Sequence, residues 1–308
     1  CEEFERTCAE AHGYSHCVTV NSATAALHLS LLALNVGPGD EVILPALTFV
    51  STALAVSYTG ATPVFADVDP RTLTIDWRDV DVKMTHSTRC VIPVDFAGYP
   101  AGDGTQDGLI VQDAAHSAGG FMYGDLACLS FHPVKNIATG DGGAILTNNA
   151  AVAERLRRLR WCGIDKNTHE RNAQAYAWDY DIQAIGYKAH WNDIQAAIGL
   201  VQLNRREELL GKRRKIANWY AELLDGIDGL RLPKNHARHT WHLYAVRVEA
   251  ERRNRIIDYL AARGISAGVH YKPLTHYPMY AGQRTPFYTE QEWKRLISLP
   301  IYYDLSRD

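Results

Sequence analysis

The sequence has no apolar stretch of the about 20 residues that a helical membrane span requires. Its longest candidate, VILPALTFVSTALAVSY, is interrupted by Pro45 and carries Thr48, Ser51 and Thr52. It also lacks any long run of one charge sign: 32 basic and 35 acidic side chains leave a net charge of −3, which argues against nucleic acid as the main partner. The six cysteines (Cys1, Cys8, Cys17, Cys90, Cys128, Cys162) contain no C-x-x-C pair, a pattern that suits structural thiols in a reducing cytoplasm better than a disulfide framework. There is no internal repeat and no low-complexity segment. The chain starts at Cys1 in a stretch, EEFERTCAEAHG, that is already helical in pattern, so further residues are expected to precede it.

What is present is an alternation of short apolar runs with helical patterns. CVTV reads as a strand, and Asn21 and Ser22 then cap TAALHLSLLAL, whose apolar residues recur at helical spacing. EVILPA and TPVFADV read as buried strands on either side of the helix FVSTALAVSYTG, and CVIPVDF, LIVQD, LACLSF and GAILTN as further strands. This order predicts an α/β fold with a parallel sheet covered on both faces. From Ala150 the pattern is amphipathic helix, then a long helical tract from Asn192 with a bend expected near Gly211. WHLYAVRV, ERRNRIIDYLAARG and ISAGVHY read as strand, helix and strand of a small α+β unit. The division is placed at 1–204 for a large domain and 205–308 for a small one.

Three pieces fall at the carboxyl ends of predicted strands, the rim where open α/β sheets bind ligands. In NSATAALHL, the start of a helix and the hydroxyls of Ser22 and Thr24 offer an anion site, although such a cap is more often structural. In VQDAAHS, Asp113 ends a strand and His116 follows three residues on; a strand-end carboxylate is also a common turn cap. In SFHPVKNIATGDGG, Lys135 stands between a strand and a glycine cluster that brings backbone without side-chain bulk. A lysine has an ordinary pKa of about 10.4, yet one that is desolvated near other positive groups is activated for Schiff-base chemistry. Alone, they read as a structural helix cap, a turn cap and a solvated loop lysine; together they supply the anion site, the carboxylate and the amine that pyridoxal 5'-phosphate requires.

On these motifs, with DIQAAIGLVQL and GVHYKPLTHYPMY, the chain resembles the DegT/StrS-type sugar-nucleotide aminotransferases over nearly its whole length. The resemblance implies a fold-type-I pyridoxal-phosphate transferase fold, a mostly parallel sheet sandwiched by helices with a small C-terminal α+β domain. It implies that Lys135 forms the Schiff base and shuttles the proton, that Asp113 partners the pyridine nitrogen, and that His116 packs near the ring or its hydroxyl. Phe49 would lie over the cofactor, and Ala23, Thr24 and Ser130 would contact its phosphate. The implied reaction takes an amino group from L-glutamate to a nucleotide-linked keto-sugar, at the 4-position on the wording of SFHPVKN and DAAH, in a cytoplasmic homodimer. His270 and Tyr271, beside Lys272, would meet the nucleotide-sugar, though a tyrosine-rich loop equally suits a dimer surface.

Several positions depart from the family pattern. Asp141 of GDGG replaces a glutamate, and His190 stands where relatives carry an asparagine that reaches the phosphate of the neighbouring subunit; it is retained as a cofactor-binding candidate. Tyr99 to Gly108 is short for a parallel crossover and predicts one exposed sheet face. GGFMYGD is abbreviated, and the chain stops at LSRD where relatives continue into a final helix. Two alternatives stay open: sugar dehydration or elimination with the same cofactor, against which Lys135 argues because dehydrating relatives tend to replace it by histidine, and a non-catalytic scaffold. His236, His239 and His242 in HARHTWH raise a zinc site, but a spacing of three leading into a strand does not keep side chains on one face. GDGTQDG lacks the last glutamate of a calcium loop and reads as a turn, and KRRK (212–215) as a solvated helix face.

Overall fold

A computed structural model describes residues 1–102, 104, 108–164 and 180–307. Helix α1 (Glu2–His12) has Glu2, Glu3 and Glu5 in its first turn and stops at Gly13, whose φ of 75° suits a residue without a side chain. Strand β1 (His16–Val20) leads to α2 (Ala23–Ala33), capped by the Ser22 hydroxyl, which accepts from the Ala25 N–H at 3.1 Å. There follow β2 (Glu41–Pro45), α3 (Val50–Thr59), β3 (Thr62–Ala66), α4 (Trp77–Lys83), β4 (Thr88–Val91), β5 (Leu109–Asp113), β6 (Leu126–Ser130), β7 (Gly143–Thr147) and α5 (Ala150–Leu159). The first seven strands form one sheet in the order β1-β7-β6-β5-β4-β2-β3. Only β7 runs antiparallel to its neighbours, so the sheet is mostly parallel.

Alternate residues of the strands enter two cores. Val18, Val42, Leu44, Ile92, Val111, Cys128 and Ile145 face the helices α2, α3 and α5. Their neighbours Cys17, Ala127, Leu129, Ala144 and Leu146 face Phe4, Trp191, Ala196 and Leu203 of α1 and of α6 (Asp193–Asn204) and its approach. Burial on both sides is why these strands read as unbroken apolar runs. Phe4 is fully buried and meets Phe131 and Trp191 edge-on at 5.4 and 4.9 Å, contacts worth about 1 kcal/mol each beyond area burial.

The short crossover before β5 does not leave the sheet bare. Helix α4 covers that face through Val80, packed on Ile43, Ala66, Ile75 and Val91. Trp77 extends the cover, its indole N–H donating to the Ala101 carbonyl at 2.9 Å and its ring seated against Gly104. Both carboxylates of the calcium-like segment, Asp103 and Asp107, lie outside the described residues.

Helix α6 ends at Arg205 and α7 (Arg206–Leu224) begins at once, so the long tract breaks there and not at Gly211. Gly211 lies within α7 with open space where a Cβ would be. A second layer follows: β8 (Tyr244–Arg247), α8 (Ala250–Ala261), α9 (Phe287–Trp293) and β9 (Leu296–Leu299), with β8 and β9 antiparallel. Its core gathers Ile216, Ala217, Trp241, Tyr244, Val246 and Ile297. The ISAGVHY segment is no strand; it touches this sheet through a single bridge, Gly268 to Ser298. Among the described residues no helix is long and apolar enough to cross a membrane.

Candidate active site

One rim of the sheet collects the ends of β5 and β6, the exit of β1 and the entry of β7. Pairing puts Ser130 and Val20 both opposite Gly143, and Asp113 opposite Cys128. The glycine cluster has its explanation here. A Cβ on Gly143 would lie 2.6 Å from the Ser22 carbonyl carbon, and one on Gly142, whose φ is 137°, would lie 2.5 Å from the Trp191 indole nitrogen. The glycines let β7 pass directly beneath the start of α2, which is how the helix end reaches the rim. There the N–H groups at the start of the helix lack intrahelical partners, Thr24 donates to the Ser51 hydroxyl at 2.8 Å, and Ser130 is buried at the end of β6.

Lys135 sits on the loop after β6, its own N–H closing a turn on the His132 carbonyl at 2.9 Å. Its amine makes no ion pair or side-chain hydrogen bond among the described residues. Burial pushes it down to about 8, with the Asp113 carboxylate pulling the other way. Asp113 is itself buried and raised, first by desolvation, against the lowering effect of Thr52, the Ala115 N–H and Lys135. Thr52 donates to one carboxylate oxygen at 2.9 Å and the Ala115 N–H to the other at 3.2 Å. Thr48 backs Thr52 at 3.0 Å. Amine and carboxylate thus feel each other's charge with no hydrogen bond or ion pair between them.

His116 is buried beside them. The Ala97 N–H donates to its Nδ1 at 3.2 Å, and its Nε2 lies 3.1 Å from the Tyr271 hydroxyl. Its ring lies 4.3 Å from that of His242, tilted by 37°. Burial, Lys135 and His270 together hold His116 well below the usual imidazole range. His270 binds the Ser298 hydroxyl through Nδ1 at 2.8 Å and is lowered by burial and then by Lys135. Phe49 is 54 % exposed at the start of α3, its ring 5.9 Å from Tyr271. So Lys135, Asp113, His116, His270, Tyr271 and Phe49 form one neighbourhood.

His190 lies apart from this cluster. Its ring packs edge-on against Trp161 at 4.4 Å, and its buried Nδ1 has no partner among the described residues. The histidines of HARHTWH do not converge. His236 and His239 accept from the Arg238 and Trp241 N–H groups at 3.1 and 3.0 Å, while His242 turns to His116.

Sequence reasoning gave Thr52 and Asp95 no role at the site, raised His242 only as a zinc candidate, and read Arg213 within KRRK as a solvated helix face, whereas its guanidinium turns inward. Asp95 is fully buried and pushed up to about 6 by desolvation. It accepts from the Ala101 N–H at 3.0 Å, Tyr123 at 2.9 Å and Gln112 at 2.8 Å, fixing the turn that carries Ala97. Arg213 donates to the carbonyls of Trp241 and His242 at 3.1 and 3.2 Å and so holds the His242 backbone from α7. The signal available for Thr52 was a cluster of hydroxyls in an otherwise apolar helix.

The site fits pyridoxal phosphate on its own evidence. A buried amine without a partner stands near an acceptor-only carboxylate held by two donors, with a helix start on the same rim. Comparison with known proteins agrees. The uncharacterized protein MJ1066 of Methanocaldococcus jannaschii is 35% identical over 333 residues, covering 99% of this chain and 86% of the relative. The structure of DesV from S. venezuelae is 35% identical with a TM-score of 0.89, over 99% of this chain and 85% of that one. Spr1654 of Streptococcus pneumoniae, assigned as a sugar aminotransferase and solved in its pyridoxamine-phosphate form, is 31% identical with a TM-score of 0.89, over 99% and 87%. The sequence profile of the DegT/DnrJ/EryC1/StrS aminotransferases matches residues 1–308. The fold is that of the fold-type-I transferases, and the chain is a pyridoxal-phosphate-dependent aminotransferase that belongs to the DegT/DnrJ/EryC1/StrS aminotransferase family.

Proposed function

We propose that this aminotransferase moves an amino group from L-glutamate to the keto carbon, at the 4-position, of a nucleotide-linked sugar, as a step in amino-sugar synthesis. Pyridoxal phosphate, when bound, supplies an aldehyde for amines and a ring that takes up the electrons of a broken C–H bond. Lys135 is the amine that would hold the aldehyde and would then serve, through its Nζ, as the base and acid that moves a proton during the amino transfer. Its lowered affinity for protons, about 8, keeps a useful fraction neutral near pH 7. Asp113, aimed by Thr52 and the Ala115 N–H, would pair with the ring nitrogen as an anion. Phe49 would cover the ring. Ala23, Thr24 and Ser130 would hold the phosphate, and His190 would reach the phosphate of a second subunit. His270 and Tyr271 would meet the sugar.

The single observation that carries this reading is the buried Lys135 amine, unpartnered yet within the field of Asp113. A dimer is supported by α6, where Ile194, Ile198 and Val201 expose 77, 44 and 58 % of their surface at helical spacing. The cytoplasm is supported by the free thiols, and the large and small domains are divided at Arg205, between α6 and α7.

Borohydride reduction of the holoenzyme followed by peptide mass measurement tests the central assignment. The cofactor's mass is expected on the peptide containing Lys135. Its appearance elsewhere, or full amino-sugar formation by Lys135→Ala, would overturn the reading. Lys135 also counts against elimination, and product analysis with glutamate separates the two reactions.

A further inference from the structure

The hydrogen bonds around His116 fix a direction that the positions of the residues alone do not. A backbone N–H can only donate, and the Ala97 N–H points at His116 Nδ1 at 3.2 Å. Nδ1 is therefore the bare, accepting nitrogen, and a neutral imidazole must carry its proton on Nε2. Protonating Nδ1 would set two donors against each other. Asp95 anchors the turn that presents Ala97, and the His242 ring lies against His116 from the other side. Nε2–H must then donate to the oxygen 3.1 Å away, the Tyr271 hydroxyl. That hydroxyl is an acceptor toward His116, so its own proton points elsewhere. Among the described residues the Tyr271 hydroxyl has no other hydrogen-bond partner, and a half-buried donor with nothing to receive it is costly.

We infer that Tyr271 is a dedicated hydrogen-bond donor to a ligand oxygen, its proton turned into the site by the relay from the Ala97 N–H through His116 to the phenol. Resting on the reading of this pocket as the transamination site, the inference names the recognised chemistry as an acceptor oxygen. That oxygen belongs either to the cofactor ring or to the keto or hydroxyl group of the sugar. Tyr271 would contact the ligand; His116 is a positioning residue.

The test uses the holoenzyme and its Tyr271→Phe variant, which keeps the ring contacts with Phe49 and Phe96. Two quantities are compared: the absorbance and affinity of bound pyridoxal phosphate, and single-turnover amination of dTDP-linked 4-keto-6-deoxyglucose as the probe. Loss of one donor is expected to cost about tenfold. A shift in absorbance with weaker cofactor binding assigns the oxygen to the cofactor. Normal cofactor binding with slowed or weakened sugar amination assigns it to the sugar. Changes below about threefold in both overturn the inference. Independently of activity, nitrogen NMR of 15N-histidine protein, with His116 located by its loss in His116→Gln, should show a proton on Nε2 and none on Nδ1. An Nδ1–H form in an enzyme that still aminates would sink the relay alone, whereas a wild-type protein with no mass on Lys135 would sink the functional reading.

Discussion

At the scale of single residues, the site spends stability on function. The pKa of Lys135 falls from an ordinary 10.5 to about 8 on folding. A group lowered in this way loses stability as pH falls through that window, and at pH 7 the whole cost of the buried charge is present. Lys135→Met in the cofactor-free protein should therefore raise unfolding stability at pH 7 by about 2 kcal/mol, after allowance for partial exposure. The advantage should shrink as pH rises from 8 toward 10.5. Urea unfolding at a series of pH values checks this, and an advantage that does not vary with pH would contradict it. His242 gives a second case. Because its Nδ1 has no partner among the described residues, the ring face against His116 is what matters. His242→Phe should keep amination near wild type, while His242→Ala should lower it about tenfold and blur the Nε2–H signal of His116. Equal loss in both would show that the imidazole, not the stack, is required.

Residues such as Lys135, Asp113 and His116 were legible because a polar side chain at the end of an apolar run stands out. Thr52 and His242 were not. The first is one hydroxyl among several in α3, and the second reaches the site only because Arg213 of α7 pins the backbone before β8.

Among the elements, the junction of β7 with α2 is the most demanding. A methyl group on Gly143 would press against the Ser22 backbone, which cannot yield as a side chain can. Gly143→Ala is expected to destabilise the protein by about 3 kcal/mol and to weaken cofactor binding more than Gly211→Ala, where the space is open and the backbone helical. Thermal melting and cofactor titration of the two variants decide it; equal effects would remove the special role of the junction. The same scale shows where pattern reading stops. Helices with a hydroxyl cap or a glycine stop, such as α1, α2 and α3, announce themselves. Helices α4 and α9 have only 7 residues each, too few for a period to emerge, and were not foreseen. Strand β9 went unread because four residues acquire meaning only beside β8. The break at Arg205 instead of Gly211 has a similar cause: a solvated glycine is tolerated inside a helix at about 1 kcal/mol, and tertiary packing places the break.

For the molecule as a whole, both covers of the main sheet could be read from apolar strands alternating with helices, whereas how α4 replaces a crossover helix could not. Nothing in the order of residues says that Trp77 reaches over to Ala101. The apolar stripe of α6 leads to a prediction at this scale. Replacing Ile194 and Ile198 together by glutamate should convert a dimer into a monomer in sedimentation measurements, with little change in melting of the subunit, since both side chains are exposed in it. A dimer that survives both changes would place the contact elsewhere.

The pairing of β1 with β7 carries a consequence for synthesis. His16 pairs with Thr147, so β1 waits at the edge of the sheet for β7, the strand of that sheet furthest from it in the chain. Until then β1 has no partner in the sheet, and the nascent chain must hold an unpaired, apolar strand through more than a hundred further residues. Ribosome-stalled fragments ending before Gly143 should accordingly be protease-sensitive at their N-termini and bound by chaperones, and gain protection only once β7 has emerged.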